Sequence, residues 1–83
     1  MGSGEQARDE AVSASALLKE LIDERHRLGM TQQDISDITG ILPSNIARLE
    51  AGGRVPTLVV LQKYAAAVGK HVELRLVEQE QSV

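Results

Sequence analysis

The segment from Met30 to Ala51, MTQQDISDITGILPSNIARLEA, constrains the fold more than any other stretch of this chain. Thr31 can cap a helix, because its hydroxyl oxygen accepts one of the unpaired amides of a first turn. That helix is predicted to run to about Thr39 and to bury Ile35 and Ile38. Gly40 ends it. A second helix then opens at Pro43, where the missing proline amide costs nothing. Ile46 and Leu49, three residues apart, form its buried face, assisted by the small side chain of Ala47. The segment therefore reads as two short helices joined by a tight turn, with polar residues left along the outside of the second.

The flanks supply two further helices. Ser13 or Ser15 caps the first, and Leu17, Leu18, Leu21, Ile22 and Leu28 recur at helical spacing. Lys19, Glu20, Asp23, Glu24 and Arg27 are left for solvent, and Gly29 stops the helix. Residues 51–56 form a loop punctuated by Gly52, Gly53 and Pro56. Thr57 or Pro56 opens the fourth helix, whose Leu58, Leu61, Ala65 and Val68 share one stripe, and Gly69 closes it. Beyond Gly69 the period changes. Val72, Leu74 and Leu76 alternate with His71, Glu73 and Arg75, the pattern of a strand over residues 70–78 with one apolar face. A lone strand leaves its backbone donors and acceptors unpaired. Pairing with the same strand of a second subunit across a two-fold axis is the simplest remedy, so a homodimer is expected. The domain proper then spans 13–69, with flexible segments at 1–12 and 79–83.

An 83-residue chain has room for one small core. It has no cysteine, which excludes a disulfide framework and thiolate chemistry. No stretch approaches eighteen apolar residues, and the start carries no basic-then-apolar leader, so a cytoplasmic protein without a membrane span is expected. His26 and His71 have no partners at metal-ligand spacing, and Ser44 has no histidine base suggested by the sequence. No cofactor, metal site or enzymatic activity is expected. Tyr64 is the single aromatic residue, too little for a base-stacking platform on single strands. The net charge of −3 runs against phosphate binding. The charge is nonetheless uneven: residues 57–71 carry Lys63 and Lys70 and no acid, while both ends of the chain are acidic.

The opening Met30-Thr31-Gln32-Gln33, the Gly40 turn and the ending Ile46-Ala47-Arg48-Leu49-Glu50 resemble the Cro/C1-type (Xre-like) helix-turn-helix transcriptional regulators. The resemblance covers about residues 16–69. It implies a mainly α fold, a small four-helix domain of the lambda-repressor-like type, here with the C-terminal strand pairing across a dimer. It also implies that residues 43–50 enter the major groove of double-stranded DNA, which admits an α-helix. The base-reading candidates are then Pro43, Ser44, Asn45 and Arg48. Gln32, with Gln33 as its weaker companion, takes the phosphate-contacting place at the start of the preceding helix. Arg54 and the amides around Gly52 and Gly53 hold the other side of the backbone.

The same resemblance pairs Arg25 with Glu50 in a partly buried ion pair that orients the reading helix. The chain departs from the family at the turn, where a capping serine or threonine followed by glutamine is usual. Leu42 and Pro43 stand there instead. The lost cap costs on the order of 1 kcal/mol, and a familiar base reader is missing. The terminal strand, with Val72, Leu74 and Leu76 as its dimerisation face, resembles antitoxins of toxin–antitoxin operons. Expected partners are therefore a palindromic operator, a second copy of the chain, and a basic toxin. The alternative is a protein-binding module that keeps the helical fold with little affinity for DNA, favoured by the acidic charge and the altered turn.

Overall fold

The computed structural model describes residues 13–76 and residue 78, and among these the chain forms four α-helices. They are α1 (Ser13–Arg27), α2 (Gln32–Thr39), α3 (Pro43–Glu50) and α4 (Leu58–Ala67). The expected flexible segments 1–12 and 79–83 lie outside the described residues. Each boundary has a local cause. After α1, the amide of Gly29 bonds to the His26 carbonyl and that of Met30 to the Arg25 carbonyl, closing the helix end. Thr31 caps α2 reciprocally: its Oγ1 accepts from the Asp34 amide at 3.0 Å, and Asp34 Oδ2 accepts from the Thr31 amide at 2.8 Å. Gly40 closes α2 at φ +80°, a left-handed conformation in which a β-carbon would be strained. Leu42 stands at the N-cap of α3 with no side-chain cap, and Pro43 follows in the first turn, as the sequence indicates. Thr57 caps α4 through the Val60 amide.

Ile35, Ile46 and Tyr64 are fully buried at the centre, surrounded by Leu18, Leu21, Leu49, Leu61, Ala65, Ala67 and Val68. α2 packs on α3 and α4, and α1 closes the far side against α4. Several apolar expectations need correction. Ile38 is 58% exposed, because the inward stripe of α2 runs through Ile35, buried Ser36 and half-buried Thr39. At about 100° per residue, that stripe leaves Ile38 on the flank. Leu28 lies past the end of α1 and is exposed, as is Leu58 at the start of α4. Ala47 is exposed too, so Ile46 and Leu49 alone anchor α3.

Residues 70–76 adopt neither helix nor strand, and no strand is present among the described residues. Val72 is half-buried against the core, whereas Leu74 and Leu76 are exposed. The three side chains expected on one dimerisation face are therefore divided between the chain's own core and solvent. Val77 lies outside the described residues.

One polar cluster joins all four helices. Glu50, at the end of α3, accepts from Arg25 Nε at 3.0 Å and Arg25 Nη2 at 2.7 Å, a two-pronged pair with the last part of α1. It also accepts from Gln32 Nε2 of α2 at 3.0 Å and from the Tyr64 hydroxyl of α4 at 2.6 Å. Arg25 Nη1 donates to the Met30 carbonyl as well, tying down the link between α1 and α2. Both side chains of the ion pair are only 8% exposed, and among the described residues no buried side-chain nitrogen or oxygen lacks a partner. Saturation matters more here than the pairing itself, since a buried pair stabilises only when its remaining hydrogen-bonding sites are also met.

Burial pushes the Glu50 carboxyl up, but the hydrogen bonds from Arg25, Tyr64 and Gln32, with the charge of Arg25, outweigh it and hold the group below the usual carboxylate range. Burial first, and then the bond to Glu50, raise the Tyr64 hydroxyl well above its ordinary value. A carboxyl lowered in the folded state contributes stability that is complete above its unfolded pKa, about 4.3 for glutamate. That contribution is lost as pH falls further, through the lowered folded value. Urea unfolding should therefore show a loss of stability below about pH 4.3 that Glu50→Gln makes shallower while lowering stability at neutral pH; Glu24, also held low by Arg27, keeps a remainder. An acid limb of equal depth in wild type and Glu50→Gln would show that Glu50 does not carry this linkage.

Candidate nucleic-acid interface

α3 has one face in the core and the other at the surface. Its inward side chains, Ile46 and Leu49, are buried at 0% and 8% exposure. At about 100° per residue the opposite face consists of Ser44, Ala47 and Arg48, with Pro43 and Asn45 on either flank. All five are exposed. The face is thus turned outward by the core behind it, and it is fixed at its far end by the Glu50 cluster.

The structure brings some of the sequence-derived candidates together and separates others. Asn45, Arg48 and Arg54 line one open hollow of about 240 Å³, which Ile41 and Val55 floor with apolar surface. Neither arginine makes a hydrogen bond or ion pair among the described residues, so two cationic side chains border α3 with no internal partner. Ser44 and Pro43 sit on the first turn of the helix. Gly52 and Gly53 are exposed and belong to a second hollow on the α1 side, shared with Arg54.

The two glutamines are placed differently. Gln32 is half-buried, and its side-chain nitrogen donates to Glu50. A primary amide has two N–H groups, so one remains available beyond that bond. Gln33 is exposed and donates to Asp37 Oδ1 at 2.9 Å along its own helix. Gln32 is therefore anchored to the machinery that orients α3, and Gln33 is not.

The family resemblance gives the Arg25–Glu50 pair but not the two side chains that complete its cluster, Tyr64 and Gln32. Composition marks Tyr64 only as the chain's single aromatic ring. The available signal was its position in an apolar helix: a buried tyrosine hydroxyl requires a hydrogen-bond partner. The Gln32 bond had no such signal, because it depends on the packing angle between α2 and α3. Among the described residues no group of three or more histidines, cysteines or carboxylates could hold a metal ion. No helix there is long and apolar enough to cross a membrane.

Residues 18–74 match the family described as Helix-turn-helix, a span that holds most of α1 and all of α2, α3 and α4. An uncharacterized HTH-type transcriptional regulator of Haemophilus influenzae is 39% identical over 59 residues, covering 71% of this chain and 60% of that protein. A second uncharacterized HTH-type transcriptional regulator, from Methanothermobacter thermautotrophicus, is 34% identical over 52 residues, covering 61% of this chain and 75% of that protein. No solved structure matches the chain. With four helices in this order, an outward α3 and a family match over more than half its length, the chain belongs to the helix-turn-helix family.

Proposed function

We propose that this chain is a sequence-specific repressor of transcription that binds double-stranded DNA as a homodimer at a palindromic operator. The observation that carries the reading is the exposed outer face of α3, held outward by Ile46, Leu49 and the Glu50 cluster. In this reading Arg48 forks onto guanine O6 and N7, and Asn45 pairs with adenine N6 and N7. Ser44 reaches a base edge or the backbone. Gln32, with Gln33, Arg54 and the amides around Gly52 and Gly53, meets phosphates and sets register rather than sequence. Two such helices would occupy major grooves about 34–36 Å apart, and repression follows from covering a promoter.

The dimer is proposed to form through residues 70–78, with Leu74 and Leu76 covered by the second copy. The pattern of this segment also supports an antitoxin role, in which the acidic surfaces of the chain accept a basic toxin. That role is tested by whether the neighbouring gene encodes a basic protein that copurifies with this one. The net charge of −3 favours the second reading, a protein-binding module with little DNA affinity.

Titration of duplexes selected from the chain's own upstream region separates the two readings. A repressor should bind one palindrome with log affinity falling steeply with log salt, as several counterions are released. Arg48→Ala should weaken that complex by about 1–3 kcal/mol and weaken random-sequence binding far less. Absence of any specific complex at low salt would favour the module, and equal losses on both duplexes would move Arg48 to the phosphate-contacting class. For the dimer, Leu74→Glu with Leu76→Glu should give a folded monomer by sedimentation equilibrium, with specific affinity reduced. A persistent dimer would place the interface elsewhere.

A further inference from the structure

We infer that the hollow beside α3 binds a small organic carboxylate with an apolar body, and that this ligand displaces operator DNA. The displacement rests on the DNA-binding reading above; the binding itself does not. Asn45, Arg48 and Arg54 line the hollow together with Ile41, Val55 and Val60, so donors and apolar surface meet in one place.

The charge of this lining is one-sided. Two arginines border the hollow, and no aspartate or glutamate does. Among the described residues neither arginine has an ion-pair partner. Two other hollows on the described surface each include a carboxylate, Glu24 beside residues 70–73 and Glu50 behind Gly52 and Gly53. A guanidinium presents its N–H groups as a planar fork that matches a carboxylate, and the Asn45 amide can donate to the same anion.

The floor narrows the ligand further. Ile41 and Val60 are half-buried, and Val55 is 66% exposed. A bare inorganic anion would leave this apolar surface wet, whereas an apolar body laid over it is favoured by the water released. Ligand sites commonly join such a floor to a few converging polar groups. Size follows from volume. A cavity of about 150 Å³ holds benzene. The hollow's volume of about 240 Å³ therefore admits one ring, or a branched chain of that bulk, with a short arm carrying the acid.

Asn45 and Arg48 are also the side chains proposed to read base edges. Held by a carboxylate, they are withdrawn from the operator, so the acid and the operator bind in competition. The acid is then an inducer that relieves repression.

The test titrates the full chain with 3-phenylpropionate and with 4-methylpentanoate, each against its uncharged primary amide, following backbone amide shifts by nuclear magnetic resonance. At least one acid should bind about tenfold tighter than its amide, the worth of a charge-assisted hydrogen bond. Its largest shifts should fall at Ile41, Asn45, Arg48 and residues 54–57. Arg48→Gln and Arg54→Gln, exposed sites whose circular dichroism should match the wild type, should each remove most of that preference. A duplex enriched from a random pool then tests displacement. At ten times the acid's own Kd, duplex affinity should fall by about elevenfold per subunit. Equal binding of acid and amide, saturation by neither acid, or a preference unchanged in both variants would overturn the site and leave the DNA-binding reading intact. Duplex affinity unchanged by a bound acid would overturn the displacement. A pool that yields no enriched duplex would overturn the DNA-binding reading and the displacement together, while the comparison of acid with amide judges the site by itself.

Discussion

The Glu50 carboxylate is the point on which the arrangement of the four helices turns. It accepts from α1, α2 and α4 while belonging to α3, so one side chain records the relative position of every element. Hydrophobic burial of Ile35, Ile46 and Tyr64 holds the helices together, but apolar packing alone fixes the orientation of an eight-residue helix only loosely. The cluster adds direction. Its ion pair is nearly buried, and among the described residues no buried side-chain nitrogen or oxygen lacks a partner, so rotating α3 would leave charge and polar groups unsatisfied in a low-dielectric interior.

The core-facing and outward-facing halves of α3 divide the work. Ile46 and Leu49 point inward, and the polar cluster secures the end of the helix at Glu50. The side chains from Leu42 to Arg48 that point away carry no structural hydrogen bond from their side chains, which leaves them free to meet a partner. Gln32 spans both roles: it is bound to Glu50 at one N–H and keeps another for a ligand. A phosphate held there would be coupled through a single amide to the helix proposed to read bases.

Much of this was legible in the sequence, and the failures have physical reasons. Caps and stops were read correctly at Thr31, Gly40, Pro43, Thr57 and Gly69, because those residues act on backbone groups only a few positions away. The Arg25–Glu50 pair came from a family resemblance, since no local rule links residues twenty-five apart. Ile38 was misassigned because hydrophobicity shows which side chains can be buried, whereas the packing angle shows which are. Ala47 failed for the same reason in reverse: a small apolar residue fits either face. Tyr64 was undervalued because its partner lies across the fold. The alternation at residues 70–76 marks a segment suited to a ladder, but a ladder needs a second strand that one chain's pattern does not specify.

The most direct test of the account is a nuclear magnetic resonance titration of the chain with an enriched duplex, following backbone amides together with the Arg25 Nε–H and Tyr64 hydroxyl protons. The account predicts the largest shifts at residues 42–48 and at Gln32, with the Arg25 and Tyr64 protons remaining protected by Glu50 throughout. Shifts that bypass residues 42–48, or loss of protection of those two protons on binding, would contradict the claim that a pre-oriented α3 meets the bases.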